Sequence, residues 1–304
     1  MKKRTLPILI AAITLCCATP IYLLKRHSIK TEGFCLSKIA LIPPVNPEHT
    51  FPPLTLAEQR ELACALAQEY YYLGRGGQCF AFTSQDNQYV IKFIRQNKKT
   101  PPFYSRLPLP SFLRHRLQQK MSLRYKKQQR DFQSYLLSIS ELKKETGMIF
   151  LHLNQTKHLR KTLVIFDKVG KRFNLNLDDY EFLVQKKGEL IYDQIDQFMQ
   201  EGQVDRAEAL ISSIIDSVIG RSKGSIMDDD AKIHRNFGCI QDQCIFIDVG
   251  RFRKEPRICE PKEYNEHLYG ITRKFSQWLH GKYPHLEEYL EQHLQKTQNQ
   301  KAGI

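Results

Sequence analysis

Apolar and polar residues follow two kinds of spacing along this chain. Thr55 precedes the run LAEQRELACALAQEYY, in which apolar residues recur at helical spacing, so this run is predicted to be a capped helix. Short apolar runs of strand length then occur within residues 70–94, 148–153, 162–175 and 180–187, and we expect the last run to form an edge strand. Helical spacing returns at residues 190–200 and 203–220, and the second run is apolar enough for a buried central helix. The pattern predicts an α+β chain with a strand-rich first half and a helical second half.

A long basic segment interrupts the strands. Residues 95–130 contain eleven Lys or Arg and no Asp or Glu. Prolines in its first half predict a loop. The apolar spacing in its second half predicts a basic helix that packs through Phe112, Leu113, Leu117, Met121 and Tyr125. One interpretation is a dock for anionic lipid or an acidic protein, and the other is a solvated helix face. From Asp131 the helix becomes amphipathic, and Gly147 is placed to cap its end.

The amino terminus has the pattern of a membrane segment. Lys2, Lys3 and Arg4 precede nineteen uncharged residues, 6–24, and two basic residues follow. As a helix this run is about 28 Å long, enough to cross the hydrocarbon core. We therefore predict an anchor at residues 1–27, a Pro-rich linker at residues 28–54 and a single-pass membrane protein. A cleaved signal peptide is the alternative, although no A-x-A site closes the run.

Charge and cysteine spacing narrow the classes of partner. The formal net charge is +14, from 46 Lys and Arg against 32 Asp and Glu, and this favours phosphate, nucleic acid or an anionic surface. None of the eight cysteines forms a C-x-x-C pair, so no zinc site is indicated. The chain has no aromatic-interleaved RNA motif and no DNA-reading helix motif, so nucleic acid is not an expected partner.

Two distant stretches contain residues suited to phosphate chemistry. Gly74, Gly76 and Gly77 lie in a loop between aromatic-rich runs, where a backbone without Cβ can approach a phosphate closely. Lys92 follows Val90-Ile91 in the next alternating run. Far downstream, Asn236 precedes two short apolar runs, and the second ends in Asp248-Val249-Gly250. An amide and a carboxylate at these positions supply oxygen ligands that Mg²⁺ accepts.

Roughly residues 70–253 resemble the protein-kinase-like superfamily in the order of their motifs. That order is a glycine loop, a hairpin, V-I-K, an Asn and then D-V-G. The resemblance implies a two-lobed fold, with an N-lobe at residues 55–187 that carries the basic segment and a small helical C-lobe at residues 188–304. It also implies that the glycines and Lys92 bind the phosphates of ATP, and that Asn236 and Asp248 hold Mg²⁺.

The resemblance further implies an acid that pairs with Lys92 from the helix after the basic segment. Two residues compete for this role. Glu141 is favoured by its distance from the helix end, whereas Asp131 lies at the edge of the apolar stripe and is the one we prefer.

The stretch from Asp228 to Asn236, which we call the aspartate loop, departs from the family pattern H-R-D-x-x-x-x-N. Counting five residues back from Asn236 gives Ala231, so Asp230 is the nearest acid, and Asp228 ends a strand-like run. Both are candidates to orient an acceptor hydroxyl. Only 54 residues follow Gly250, without an A-P-E motif, and the abbreviated end leaves the acceptor open.

These observations favour a membrane-anchored phosphotransferase that uses ATP and Mg²⁺, with its kinase-like domain on the ATP-containing, cytoplasmic side. One alternative is an inactive pseudokinase scaffold, for which the irregular aspartate loop would be the mark. The other is a basic protein of membrane surfaces, in which the glycine loop is only a turn.

Overall fold

The structure of the chain is a computed structural model. It describes residues 19, 20, 22, 23, 25–41, 53–96 and 110–299. Most of the predicted anchor, parts of the linker and residues 97–109 of the basic segment lie outside the described residues.

The predicted single-pass membrane localisation is corrected by the structure. Of the helices formed by the described residues, none combines the length and the apolar composition that a bilayer crossing requires. Within the predicted span, only residues 19, 20, 22 and 23 are described, and they are helical and exposed. The fold class is thus α+β, and the transmembrane helix that we predicted before it is not supported.

The first half of the chain forms one seven-stranded sheet. Its strands are β1 (Tyr70–Arg75), β2 (Cys79–Ser84), β3 (Tyr89–Ile94), β4 (Met148–His152), β5 (Thr162–Phe166), β6 (Arg172–Asn176) and β7 (Phe182–Lys186). The order across the sheet is β4-β7-β3-β2-β1-β5-β6, and every pairing is antiparallel except β1 with β5. The hairpin β5–β6 therefore extends the sheet beyond β1.

Strand β7 lies inside the sheet, and our prediction that it forms the edge is wrong. It pairs with β3 on one side and with β4 on the other, so β4 is the edge strand. All but the last residue of β7 are buried. Apolar patterning marks such a strand as buried but does not specify its neighbours, because partner choice depends on distant segments.

Between residues 53 and 147, the described residues form three helices beside this sheet. They are α1 (Leu56–Leu66), α2 (Ser111–Ser140) and α3 (Lys143–Thr146). Thr55 and Glu58 form a reciprocal capping box at the start of α1. Gly147 adopts the left-handed conformation of a helix cap, with φ 61°, but it ends α3. The long helix that we expected it to cap ends earlier, at Ser140.

The predicted apolar contacts of the basic part of α2 are largely absent. Phe112, Leu113 and Tyr125 are exposed, and burial begins only at Asp131 and Phe132. The first five turns of α2 thus project into solvent, because their apolar residues are too few and too scattered to form one continuous stripe.

The second half of the chain is mainly helical. Its helices are α4 (Ile191–Gln200), α5 (Val204–Lys223), α6 (Ile233–Asn236), α7 (Pro261–Lys282) and α8 (Pro284–Asn299). Its short strands are β8 (Glu189–Leu190), β9 (Ile226–Asp228), β10 (Phe237–Ile240), β11 (Gln243–Phe246) and β12 (Phe252–Lys254). Helix α5 is the predicted central helix, since one apolar face of it is buried: Ala207, Leu210, Ile211, Ile214, Ile215 and Val218. Strand β10 pairs with β11 and β8, and β9 pairs with β12.

Apolar side chains form two clusters. One joins the buried end of α2 and β4 to the helical half. The other covers the sheet, and Phe34 and Ile39 from the amino-terminal segment belong to it. Phe34 meets Phe80, Phe82 and Phe173 edge-on, with ring centroids 5.3, 5.2 and 5.7 Å away. A segment before the predicted N-lobe thus completes the core of the sheet.

We expect Phe34→Ala to lower the free energy of unfolding by about 3–5 kcal/mol, because the substitution leaves a cavity among packed rings. Urea unfolding followed by circular dichroism measures the loss. Phe34 is 3% exposed, whereas the control Phe112 is 61% exposed. Phe112→Ala should change stability by less than about 0.5 kcal/mol. Equal losses in the two variants would show that the amino-terminal segment is not part of the core.

Candidate functional site

A cleft of about 520 Å³ lies beneath the loop that joins β1 to β2. Its walls come from that loop, β3, α2, the segment around α6 and the segment after β11. The residues that line it include Gly76, Gly77, Lys92, Asp230, Asn236 and Asp248. Six residues that we predicted from separate stretches therefore share one cavity. Gly74 in β1, Asp131, Glu141 and Asp228 do not line it.

Lys92 lies on β3 and is held by two oxygen acceptors. Its Nζ donates to Gln185 Oε1 at 2.9 Å and also to the carbonyl oxygen of Ile247. Gln185 is buried on β7, and its amide nitrogen donates to the carbonyl oxygens of Thr146 and Phe246. Because both of its N–H groups are used, the amide presents its oxygen to Lys92. Burial lowers the pKa of Lys92, and the nearby charge of Asp248 opposes this shift.

The expected ion pair between Lys92 and an acid of α2 is not formed. Asp131 instead pairs with Arg251 at 3.0 Å and accepts a hydrogen bond from Gln78 Nε2 at 2.9 Å. Glu141, just past the end of α2, forms an ion pair with Lys254. Arg251 directly follows D-V-G, so the cation that reaches Asp131 comes from the second half of the chain rather than from β3.

Asn236 and Asp248 are tied to each other through the backbone. The amides of Ile247 and Asp248 donate to the carbonyl oxygen of Asn236 at 2.9 and 3.4 Å. The side-chain nitrogen of Asn236 donates to the carbonyl oxygen of Asp230 at 2.5 Å, which leaves Oδ1 as its remaining acceptor. Gly250 N donates to Asp248 Oδ1 at 3.2 Å.

These oxygens fit Mg²⁺, which usually takes one or two protein ligands and completes its shell with phosphate and water. In the part of the chain that the structure describes, no cluster of three or more His, Cys, Asp or Glu side chains could hold a metal by itself. A metal between Asn236 and Asp248 would thus depend on ligands supplied by a nucleotide.

The two candidate catalytic acids lie in different environments. Asp230 lines the cleft and forms ion pairs with Lys232 and Arg235. Desolvation raises the pKa of Asp230, but the hydrogen bond from Lys232 and the neighbouring cations outweigh it and lower the pKa overall. Asp228 is buried outside the cleft, and its Oδ1 accepts a hydrogen bond from the amide of Asp230 at 2.9 Å. Asp228 therefore supports the backbone of the loop, and Asp230 is the acid that lines the cavity.

Arg221 on α5 supports Asp228 from behind. Its side chain is fully buried, lies 3.5 Å from Asp228 Oδ2 and has its guanidinium 4.6 Å from the ring centroid of Phe246. Burial raises the pKa of Asp228, and the charge of Arg221 opposes the increase. The cation beside Asp228 thus comes from helix α5, which the local sequence around the aspartates does not reveal.

The glycine loop contacts the segment after D-V through Gln78. Gln78 Nε2 donates to the carbonyl oxygen of Gly250 at 3.0 Å, and Gln78 Oε1 accepts from the Tyr135 hydroxyl at 3.0 Å. A Cβ on Gly250 would lie 1.7 Å from Gln78 Oε1, so any side chain at position 250 would displace the Gln78 amide from these contacts. A Cβ on Gly77 would meet no atom within 4 Å, so the space beside that glycine is open to a ligand.

Sequence reasoning missed Gln78, Gln185 and Arg251. Gln185 has a signal, because it is a polar residue within the apolar run FLVQ and is buried in a strand. Gln78 and Arg251 adjoin the two glycine motifs, but nothing in their spacing shows that their side chains converge on α2.

Comparisons with known proteins find distant likenesses. No protein-family description and no curated protein matches the chain. The chain is similar to a solved structure of WbdD, described elsewhere as a bifunctional kinase-methyltransferase, with 15% identity and a TM-score of 0.36 over 77% of this chain. It spans 47% of that WbdD chain, about half its length.

Two further structures are similar. The ROP18 kinase domain, solved with AMP-PNP and sucrose, shows 16% identity and a TM-score of 0.36 over 67% of this chain and 62% of its own. The APH(2″)-IIa structure, a ternary complex with streptomycin and ATP, shows 12% identity and a TM-score of 0.28 over 80% of this chain and 97% of its own. TM-scores this low carry no argument alone.

The class of fold rests on the chain's own elements. The first half of the chain contains a hairpin with a glycine loop, a strand bearing Lys92, a long helix and two further strands of the same sheet. The helical second half then places Asn236 and Asp248 in the cleft. The chain has a protein-kinase-like fold, extended at one edge of its sheet by the hairpin β5–β6.

Replacing Arg221 should show how strongly an unpaired, buried Asp228 lowers the free energy of unfolding. The pKa of Asp228 is higher in the folded chain than its unfolded-state value of about 3.9. Between these two pKa values the folded chain binds more protons at Asp228 than the unfolded chain does. The contribution of Asp228 to the free energy of unfolding therefore falls as the pH rises through this range. We expect Arg221→Met to cost about 3–5 kcal/mol at pH 8, because an unpaired carboxylate remains buried. The cost should be smaller at pH 4.5, where Asp228 can be protonated.

Urea unfolding at the two pH values measures this difference. The matched control is Arg206→Met, which breaks an exposed pair with Asp242 and should show a small effect without pH dependence. An Arg221→Met loss that is independent of pH would mean that Asp228 does not carry the buried charge.

Proposed function

We propose that this protein binds ATP with Mg²⁺ and transfers the terminal phosphate to a hydroxyl acceptor. The observation that carries the proposal is the convergence of Lys92, Asp230, Asn236 and Asp248 on one cleft under a glycine loop. These four side chains supply a cation for phosphate oxygens, two oxygen ligands for a metal and a carboxylate for the acceptor. The likeness in fold to kinases is consistent with this but does not extend to substrates.

In this proposal Lys92 binds phosphate oxygens, and Gln185 and Ile247 hold its ammonium toward the cleft. The backbone of Gly76 and Gly77 approaches the phosphates from above. Asn236 and Asp248 bind Mg²⁺, which when bound neutralises phosphate charge during transfer. The arrangement acts mainly by positioning and charge compensation, since phosphoryl transfer needs little covalent help from a protein.

Asp230 accepts a hydrogen bond from the acceptor hydroxyl. Because its pKa is lowered, Asp230 is a carboxylate at neutral pH and can accept this hydrogen bond. As the hydroxyl oxygen bonds to phosphorus and the bond to the ADP oxygen breaks, the hydroxyl proton passes to Asp230. Lys232 and Arg235, which contact Asp230, keep the carboxylate oriented.

A pseudokinase scaffold is the second candidate, and one observation favours it. Lys92 has amide and carbonyl partners in place of a carboxylate, while Asp131 is engaged by Arg251. A chain that binds nucleotide without turnover could retain this arrangement. The two candidates differ in activity and not in binding, so separate measurements distinguish them.

We expect Mg²⁺ and ATP together to raise the melting temperature of the full chain. Ligand at a hundred times its Kd stabilises a protein by about 2.7 kcal/mol. The shift should disappear in Lys92→Ala, which removes the phosphate cation, and in Asp248→Ala, which removes a metal ligand. Lys186→Ala is the control, because Lys186 lies on β7 outside the cleft and pairs with Glu61. Stabilisation that survives in Lys92→Ala and Asp248→Ala would refute the proposed nucleotide site.

Asp230→Asn should retain the thermal shift but lose ATP turnover at least about 100-fold, because the amide cannot take the acceptor proton. Hydrolysis of ATP, with water as acceptor, is the readout. Asp242→Asn, which alters an exposed carboxylate on the β10–β11 turn, should leave hydrolysis unchanged. Nucleotide binding without turnover in the unmodified chain would favour the pseudokinase scaffold.

A further inference from the structure

A second cavity adjoins the nucleotide cleft. Its volume is about 650 Å³, and it lies between the exposed part of α2 and the segments around Asp229 and Arg251. Asp230 and Arg251 line both cavities. Asp230, which we assign to the acceptor hydroxyl, therefore lies at the boundary between the two cavities. An acceptor that reaches Asp230 without displacing a nucleotide would occupy the second cavity.

The lining of the second cavity is predominantly cationic. Its charged residues are Lys127, Arg130, Arg251 and Arg253 against Asp229 and Asp230. Arg251 is paired with Asp131, and Arg253 is paired with Asp229 and Glu255. Asp230 is already neutralised by Lys232 and Arg235. The acids present thus have cationic partners.

Lys127 and Arg130 differ from the other cations of this cavity. Both project from α2, one turn apart, and both are exposed. Within the ranges that the structure describes, neither takes part in an ion pair. Two unpaired cations one turn apart on this solvent-open cavity repel each other, and a bound anion relieves that repulsion. Arg116, Lys120 and Arg124 on the same helix are also exposed but do not line the cavity.

We propose that the acceptor is a small hydroxyl-bearing molecule that carries a phosphate or carboxylate group. Its anionic group binds Lys127 and Arg130, and one of its hydroxyls reaches Asp230. Guanidinium and ammonium groups form charge-assisted hydrogen bonds with both kinds of anion, and arginine can bind either in a bidentate manner. This inference rests on the proposed phosphotransfer, because Asp230 fixes where the reactive hydroxyl lies.

The test uses the full chain saturated with Mg²⁺ and AMP-PNP, which fills the nucleotide cleft. Glucose 6-phosphate, glucuronate and glucose are then titrated in separate calorimetric experiments. The three probes share ring hydroxyls and differ in charge. We expect at least one anionic sugar to bind at least tenfold more tightly than glucose, and the stronger of the two identifies whether phosphate or carboxylate is preferred.

Paired variants locate the site. Lys127→Ala with Arg130→Ala should weaken binding of the preferred anionic sugar at least tenfold, whereas Lys120→Ala with Arg124→Ala should change it less than twofold. AMP-PNP affinity should be the same in both double variants. The proposal is overturned if glucose binds as tightly as the anionic sugars, if no anionic sugar binds, or if both double variants weaken binding equally.

The same experiments separate this inference from the proposed function. Failure of AMP-PNP to bind would refute the nucleotide site, and titration of the unliganded chain would still report on Lys127 and Arg130. Normal AMP-PNP binding with no preference for an anionic sugar would refute only the acceptor assignment.

Discussion

The bonds of Lys92 to Gln185 and to the carbonyl of Ile247 connect the two halves of the molecule at the cleft. Gln185 belongs to the sheet, whereas Ile247 directly precedes Asp248 in the helical half. The amide of Ile247 donates to Asn236, and the side chain of Asn236 donates to the backbone of Asp230. One continuous set of hydrogen bonds thus fixes Lys92, Asn236 and the backbones of Asp230 and Asp248 relative to one another. These are the residues that we propose for phosphate, metal and acceptor.

A second set of contacts holds α2 against the same segment. Ser134 Oγ donates to the carbonyl oxygen of Val249 at 2.5 Å and accepts from the amide of Phe252 at 2.7 Å. Asp131, one turn earlier, binds Arg251 and Gln78. The helix is therefore positioned by the D-V-G segment and the glycine loop, and it needs no bond to Lys92 for its placement. Its basic half continues from this fixed end beside the second cavity.

Much of this arrangement could be predicted from local sequence. The strands around the glycine loop, the central helix α5 and the hairpin before Asp248 follow from apolar spacing and turn residues, and the order of glycines, lysine, Asn and D-V-G predicted that they would share a site. What failed depends on contacts between distant segments. Asp131 was expected to form an ion pair with Lys92, but it pairs with Arg251. Strand β7 was expected at an edge, but β4 covers it. Phe112 and Tyr125 were expected to pack, but nothing covers that side of α2 in the described chain.

The aspartate loop shows the same limit. The sequence pattern separates Asp228 from Asp230 only by their spacing from Asn236, whereas burial in the structure distinguishes them clearly. Asp228 is buried against Arg221, a residue seven positions earlier on α5, and becomes structural. Asp230, two residues later, lines the cleft. Spacing from Asn236 favours Asp230 only narrowly, because the interval is one residue longer than in the family pattern.

The most direct measurement is a crystal structure of the chain grown with AMP-PNP and Mn²⁺ as a visible substitute for Mg²⁺. The account predicts an anomalous scattering peak within coordination distance of Asn236 Oδ1 and the Asp248 carboxylate, with phosphate oxygens against the ammonium of Lys92. A nucleotide bound elsewhere, or a metal peak away from Asn236 and Asp248, would contradict it.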